Sequence, residues 1–162
     1  MTPAALRALG VLAWHLPPDD AATPARLAAI RAARGYTYAD AIAVSAAALP
    51  AAEYDAKRAM FYAEHIHADE EIRYVTAGGG FFDVRSGAAP DARWVRVHTR
   101  AGDMIVLPAG CLHRFTPDGD DAVAATRLFV GEPVWVPIPR GEQADAHPAR
   151  AQYLATLAGA RA

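Results

Sequence analysis

From residue 71 to residue 130 the chain alternates short β-branched or aromatic runs with clusters of turn-forming residues. The runs are Glu71–Thr76, Phe81–Arg85, Trp94–Thr99, Met104–Leu107, Cys111–Phe115 and Ala122–Val130. The breaks are Gly78-Gly79-Gly80, Ser86-Gly87, Ala101-Gly102-Asp103, Pro108-Ala109-Gly110 and Pro117-Asp118-Gly119-Asp120. Short strands with turn signals roughly every 8–12 residues predict an antiparallel sandwich or barrel. Within that pattern Gly78-Gly79-Gly80 follows a strand without the spacing of a phosphate loop, and it reads as a hairpin turn.

Residues 20–62 have a different pattern and read as helical. Thr23 is placed to cap a helix whose first position is Pro24, with Leu27 and Ile30 on its apolar face and Gly35 as its stop. Alanine-rich Tyr38–Leu49, closed by Pro50, reads as a second helix, and Glu53–Tyr62 as a third. After Gly131-Glu132-Pro133 the chain is proline-rich to Pro139, and a last helix is expected over about 149–157. With no repeat and no long linker, residues 1–162 are expected to form one mainly β domain. It would have a helical part at about 20–62, a barrel at about 63–135 and a C-terminal extension at about 136–162.

Composition excludes several roles. Charged residues make up 21% of the chain, the net charge is -2, and no basic stripe marks a nucleic-acid surface. Cys111 is the only cysteine, which rules out an internal disulfide and fits a reducing compartment. The N-terminus reads without signal-peptide organisation, and no apolar run approaches the ~18 residues of a membrane span. The expectation is a soluble cytoplasmic protein, without a membrane partner. The lack of an obvious apolar stripe points to a monomer.

The chemistry gathers around His65-Ile66-His67-Ala68-Asp69-Glu70-Glu71 and Pro108-Ala109-Gly110-Cys111-Leu112-His113. His65 and His67 are two apart, so on a strand both rings face the same way. Glu71 begins the next strand and His113 arrives from a distant one. Three imidazoles and a carboxylate suit Fe, Ni, Zn, Mn or Co, and on an octahedral ion they leave two positions open for a bidentate substrate. An isolated His-x-His pair is more often a surface or satisfied-core feature. Arg73 shares strand parity with Glu71 and should point inward, to meet either an anionic ligand or a neighbouring carboxylate such as Asp69 or Glu70. Phe115 shares parity with His113, and Val75 with Arg73. Glu70 has the wrong parity for a ligand. Cys111 reads as a buried, inert thiol, and His15, His98 and His147 lack ligand spacing.

The two spacings His-x-His-x3-Glu-x6-Gly (His65, His67, Glu71, Gly78) and Gly-x5-Pro-x-Gly-x2-His (Gly102, Pro108, Gly110, His113) resemble the two motifs of the cupin superfamily. The second departs at its end, with Pro117 where cupins often carry asparagine, a position that is not a ligand. More narrowly, Glu64–Tyr74, Phe82–Arg85, Gly102–Gly110 and Arg127–Trp135 strongly resemble the acireductone dioxygenase family of methionine salvage. Leu9–Leu12 and Asp55–Tyr62 are similar too, so the resemblance spans most of the chain.

The resemblance implies a single cupin, jelly-roll-like β-barrel and a metal-dependent dioxygenase. It places the metal on His65, His67, Glu71 and His113. It gives Arg73 the anionic substrate, and makes Phe61 and Phe115 aromatics that shape the pocket. Val75 is expected beside the substrate tail. The implied cofactor is Fe2+, with Ni2+ as the alternative, and the implied partners are an acireductone and O2. The competing expectations are another metal-dependent cupin enzyme, such as a sugar-phosphate isomerase, and a non-catalytic cupin that uses the metal to hold a small ligand.

Overall fold

A computed structural model describes residues 3–87, 92–133 and 136–159 of the chain. In chain order the elements are α1 (Pro3–Arg7), β1 (Leu12–His15), α2 (Thr23–Arg34), β2 (Tyr38–Ser45), α3 (Ala51–Tyr62), β3 (His65–Ile66), β4 (Glu71–Arg85), β5 (Trp94–Arg100), β6 (Asp103–Leu107), β7 (His113–Pro117), β8 (Ala122–Phe129), β9 (Ile138–Pro139), α4 (Glu142–Asp145) and α5 (Pro148–Gly159). The architecture is mainly β, as the strand rhythm predicts. All the strand pairs are antiparallel among the described residues.

The long strand β4 organises the molecule. Its first half lies between β6 and β8, and its second half lies between β5 and β7. The outer strands extend each half: β1 joins β6, β2 joins β8, and β3 links β7 to β9. The hydrogen-bonded ladder therefore folds into two halves through β4 and, among the described residues, does not close on itself.

Two expectations are corrected here. Gly78-Gly79-Gly80 is not a hairpin turn but the middle of β4. A β-bulge shifts the pairing with β8 between Val75 and Ala77, and Gly78 follows it with φ +64. A Cβ on Gly78 would lie 2.1 Å from the Ala122 carbonyl oxygen, so only glycine lets β8 approach here. The second correction is Tyr38–Leu49, which is not a helix. Residues 38–45 form strand β2, paired along its length with β8. Tertiary pairing outweighs the helix propensity of the three alanines in β2, because β8 needs a partner and β2 brings Ile42 and Val44 to one face.

The remaining helices follow expectation more closely. α2 ends at Gly35 in the left-handed conformation (φ 71), and α3 and α5 cover the expected spans. Thr23, however, is the first helical residue rather than the cap. Ala22 takes the cap position, and the Thr23 hydroxyl donates to the Pro17 carbonyl at 2.7 Å.

The main core packs Phe82 and Val84 of β4 against Ile105 and Leu107 of β6, sealed at one end by Leu6, Leu9, Tyr153 and Leu157. Cys111 lies in this core with no exposure, and burial pushes its thiol up to about 12, so the expectation of an inert thiol holds. A second cluster joins Ile72, Met104, Val106 and Leu128 beneath α2. Both clusters fix β4, the strand that carries Glu71. No helix among the described residues is long and apolar enough to cross a membrane.

Candidate metal centre

β4 presents Glu71 at its first residue, β3 presents His65, and the short turn between them leaves His67 beside both. β7 pairs with β3 so that His113 lies opposite His65. The ligand-type atoms of His65, His67, Glu71 and His113 all lie within 4.8 Å of one another. Their rings sit close, with centroids of His65 and His113 4.4 Å apart. The four residues, spread over 48 positions of sequence from His65 to His113, thus share one point in space.

The hydrogen bonds show which atoms face that point. His65 Nδ1–H donates to the Ala63 carbonyl at 2.7 Å, and His113 Nδ1–H donates to the Cys111 carbonyl at 2.8 Å. Each bond fixes the tautomer and turns the Nε2 lone pair inward, as a metal ligand requires. Glu71 Oε2 lies 2.7 Å from His113 Nε2 and 3.3 Å from His67 Nε2. Two acceptors at such separations need a cation between them, either a proton or a metal ion. Burial, together with the neighbouring His113, lowers His65 to about 4, so its ring stays neutral and able to coordinate near pH 7. Burial alone would raise Glu71, but Arg73 and His113 outweigh it and hold the carboxylate well below its usual range. The donor set fits a divalent ion.

Arg73 occupies the other oxygen, with its guanidinium 3.2 Å from Glu71 Oε1. The inward arginine does meet a carboxylate, but it is Glu71 itself. Asp69 and Glu70 are not its partners. Glu70 instead accepts two bonds from Arg34 at 2.8 and 3.0 Å and one from the Tyr36 hydroxyl at 3.1 Å. The Arg34 guanidinium also donates to the Tyr36 hydroxyl. That network anchors the loop before β4 to α2.

A cavity of about 200 Å³ opens beside the cluster, between the two halves of the sheet. Phe61, Arg73, Val75 and Phe115 all line it. Phe61 and Phe115 meet edge to face at 6.2 Å, and Phe115 lies against Phe82 at 4.8 Å. Beyond these, the wall includes Ile42, Val44, Val123, Ala125 and Arg127. The sequence reading misses these five. Ile42 and Val44 alternate with alanines along Tyr38–Ser45, a period of two that a helical reading of that stretch overlooks. His15, His98 and His147 lie away from the cluster. His15 pairs with Asp103 at 2.7 Å and His98 with Asp118 at 3.4 Å, while His147 Nδ1 accepts from the Ala149 amide.

Comparison with known proteins gives a consistent picture. A family model described as the ARD/ARD' family matches residues 1–137. Acireductone dioxygenase 2 of Physcomitrium patens is 52% identical over 92% of this chain and 73% of its own length. Acireductone dioxygenase of Rattus norvegicus is 47% identical over 95% of this chain and 82% of its own. Among solved structures, acireductone dioxygenase from Bacillus anthracis, with a cadmium ion in its active centre, superposes with TM-score 0.69. It is 29% identical, and the match covers 84% of this chain and 87% of that one.

Proposed function

The chain belongs to the acireductone dioxygenase family, and on that premise we propose that it cleaves the acireductone 1,2-dihydroxy-3-keto-5-methylthiopentene with O2. The observation that carries this reading is the largely buried His65–His67–Glu71–His113 cluster opening onto an apolar cavity beside an arginine. His65, His67, Glu71 and His113 would hold a divalent metal. Bound there, the ion would supply Lewis-acid and template chemistry for an enediolate.

The chain's own residues supply the rest. Arg73 keeps Glu71 ionised, and its charge offsets the negative charge that the substrate brings. Its side chain is only 18% exposed, so little water screens it. Phe61, Phe115 and Val75 exclude water from the reacting end and receive the thioether tail. The carbonyls of Ala63 and Cys111 hold the two imidazoles so that neither must reorient on binding. With Fe2+ the expected products are formate and 2-keto-4-methylthiobutyrate. With Ni2+ they are formate, carbon monoxide and 3-methylthiopropionate.

The test supplies acireductone and oxygen to protein loaded with Fe2+ or with Ni2+, with products identified by mass spectrometry. Substrate loss no faster than the uncatalysed rate in both forms would refute the proposal.

A further inference from the structure

Strand register gives the cavity a direction. On the inward face of β4, β8 and β2, paired residues form rows across the wall. The first row is Arg73, Arg127 and Asp40, in which Arg127 donates to Asp40 at 2.8 and 2.7 Å. The next row along the strands is Val75, Ala125 and Ile42. Past the bulge comes Gly78, Val123 and Val44. Successive inward residues lie about 7 Å apart along a strand. The wall therefore passes from charged to apolar in a single step away from the Glu71 end of β4.

The apolar rows are not equally deep. β8 offers Arg127, Ala125 and Val123 in turn, and Ala125 is by far the smallest of the three. It sits between Val75, at 1% exposure, and half-buried Ile42, and is itself 6% exposed. Flanked by larger inward side chains, a methyl group in the middle strand leaves a trough across the centre of the row. An unbranched chain running from the charged row toward Val123 must cross that trough. A bulkier residue would dam it in the row beyond Arg73 and Arg127.

We propose that Ala125 sets the tail length this site accepts, admitting acireductones whose unbranched apolar tail extends past the Val75–Ala125–Ile42 row. This rests on the acireductone reading of the site and specifies its substrate class. Ala125 acts on the tail alone and takes no part in the reaction at the enediolate.

The experiment compares the wild type with Ala125→Leu, both loaded with Fe2+, on acireductones carrying methyl, propyl and 2-(methylthio)ethyl tails. Ala125→Val serves as the milder variant should leucine prevent folding. Turnover is paired with calorimetric titration of the same compounds in the absence of oxygen. The wild type should favour the longer tails. Ala125→Leu should keep the methyl-tailed compound within a few-fold and lose roughly 10–200-fold in kcat/KM for the longest tail, the range set by a methylene or two in an apolar pocket. Most of that loss should fall on KM and recur in the anaerobic titration. An equal loss for every tail, or an unchanged length preference, overturns the inference. If the wild type turns over none of the three, the functional reading fails. The titration still decides the role of Ala125, by whether leucine removes a length-dependent affinity. Wild-type binding that does not depend on tail length also overturns it.

Discussion

Replacing Gly80 with alanine tests the long central strand and the shape of the cavity together. Gly80 lies between Thr99 of β5 and Pro117 of β7. A Cβ there would stand 2.3 Å from Phe115 Cζ, 2.7 Å from Phe115 Cε2 and 2.6 Å from the Thr116 carbonyl oxygen. To restore an ordinary contact of 3.4 Å the ring must withdraw by about 1.1 Å (3.4 minus 2.3), and the Thr116 backbone must yield as well. Phe82 and Phe61 already press on the ring, so its way out leads into the cavity. Overpacking of this kind costs about 1–3 kcal/mol. The stiffer unfolded chain offsets about 0.4–1 kcal/mol of it. A net loss of about 1–2 kcal/mol lowers Tm by roughly 2–8 °C in a chain of this length. The assay is thermal unfolding by circular dichroism on protein stripped of metal, because bound metal would add its own stabilisation. In the loaded enzyme the displaced ring should also raise KM. In an open hairpin turn the same change would be neutral or stabilising by the 0.4–1 kcal/mol alone. A Tm equal to or above that of the wild type would refute the close packing of β4 on β7.

Other changes test other parts of the structure. His113→Ala removes a proposed ligand and should weaken Fe2+ binding by more than the roughly 10–100-fold that loss of an outer partner costs; undiminished metal content by elemental analysis would take His113 out of the ligand set. Asp83 is buried on β4 between Arg96 and Arg114, at 2.7 and 3.0 Å, and its hydrogen bond from Arg96 is the main cause holding it below its ordinary value of 3.8. The unfolded chain therefore binds the proton more readily, so this stabilisation is present above about 4 and is lost as the pH falls through the lower folded value. Asp83→Asn should cost about 1–3 kcal/mol near pH 7 in urea unfolding, with the two stability curves converging in acid; parallel curves down to pH 3 would contradict that pairing. Cys111, fully buried, should resist alkylation in the native protein and react once denatured, as followed by intact mass; rapid native labelling would mean the core around it opens.

The candidate metal cluster was legible in the sequence because His65, His67, Glu71 and His113 sit at recognisable spacings. His65 ends up on β3 and His67 in the turn that follows it, while Glu71, Arg73 and Val75 share one face of β4. The strand runs were legible for the same reason, since β-branched residues and turn formers mark a pleated, half-buried surface. The reading failed where local preference and long-range pairing disagree. Alanines in Tyr38–Ser45 favour a helix on their own, yet that segment is the strand that β8 pairs with. Three glycines in a row favour a turn, yet at Gly78 and Gly80 they admit backbone and ring atoms that no Cβ would tolerate.

The sequence by itself determined the candidate ligand set, the antiparallel class of the fold and the family, because each depends on residue identity at fixed separation along the chain. Only the tertiary structure decided that Arg73 pairs with Glu71 rather than with Asp69 or Glu70. It alone decided that β2 completes the cavity wall, and that Ala125 sits at the centre of an apolar row. Those facts depend on which strands lie side by side and in what register. Register is fixed by burial of whole faces and by the bulge after Val75, distributed across residues far apart in the chain, and no local stretch encodes it.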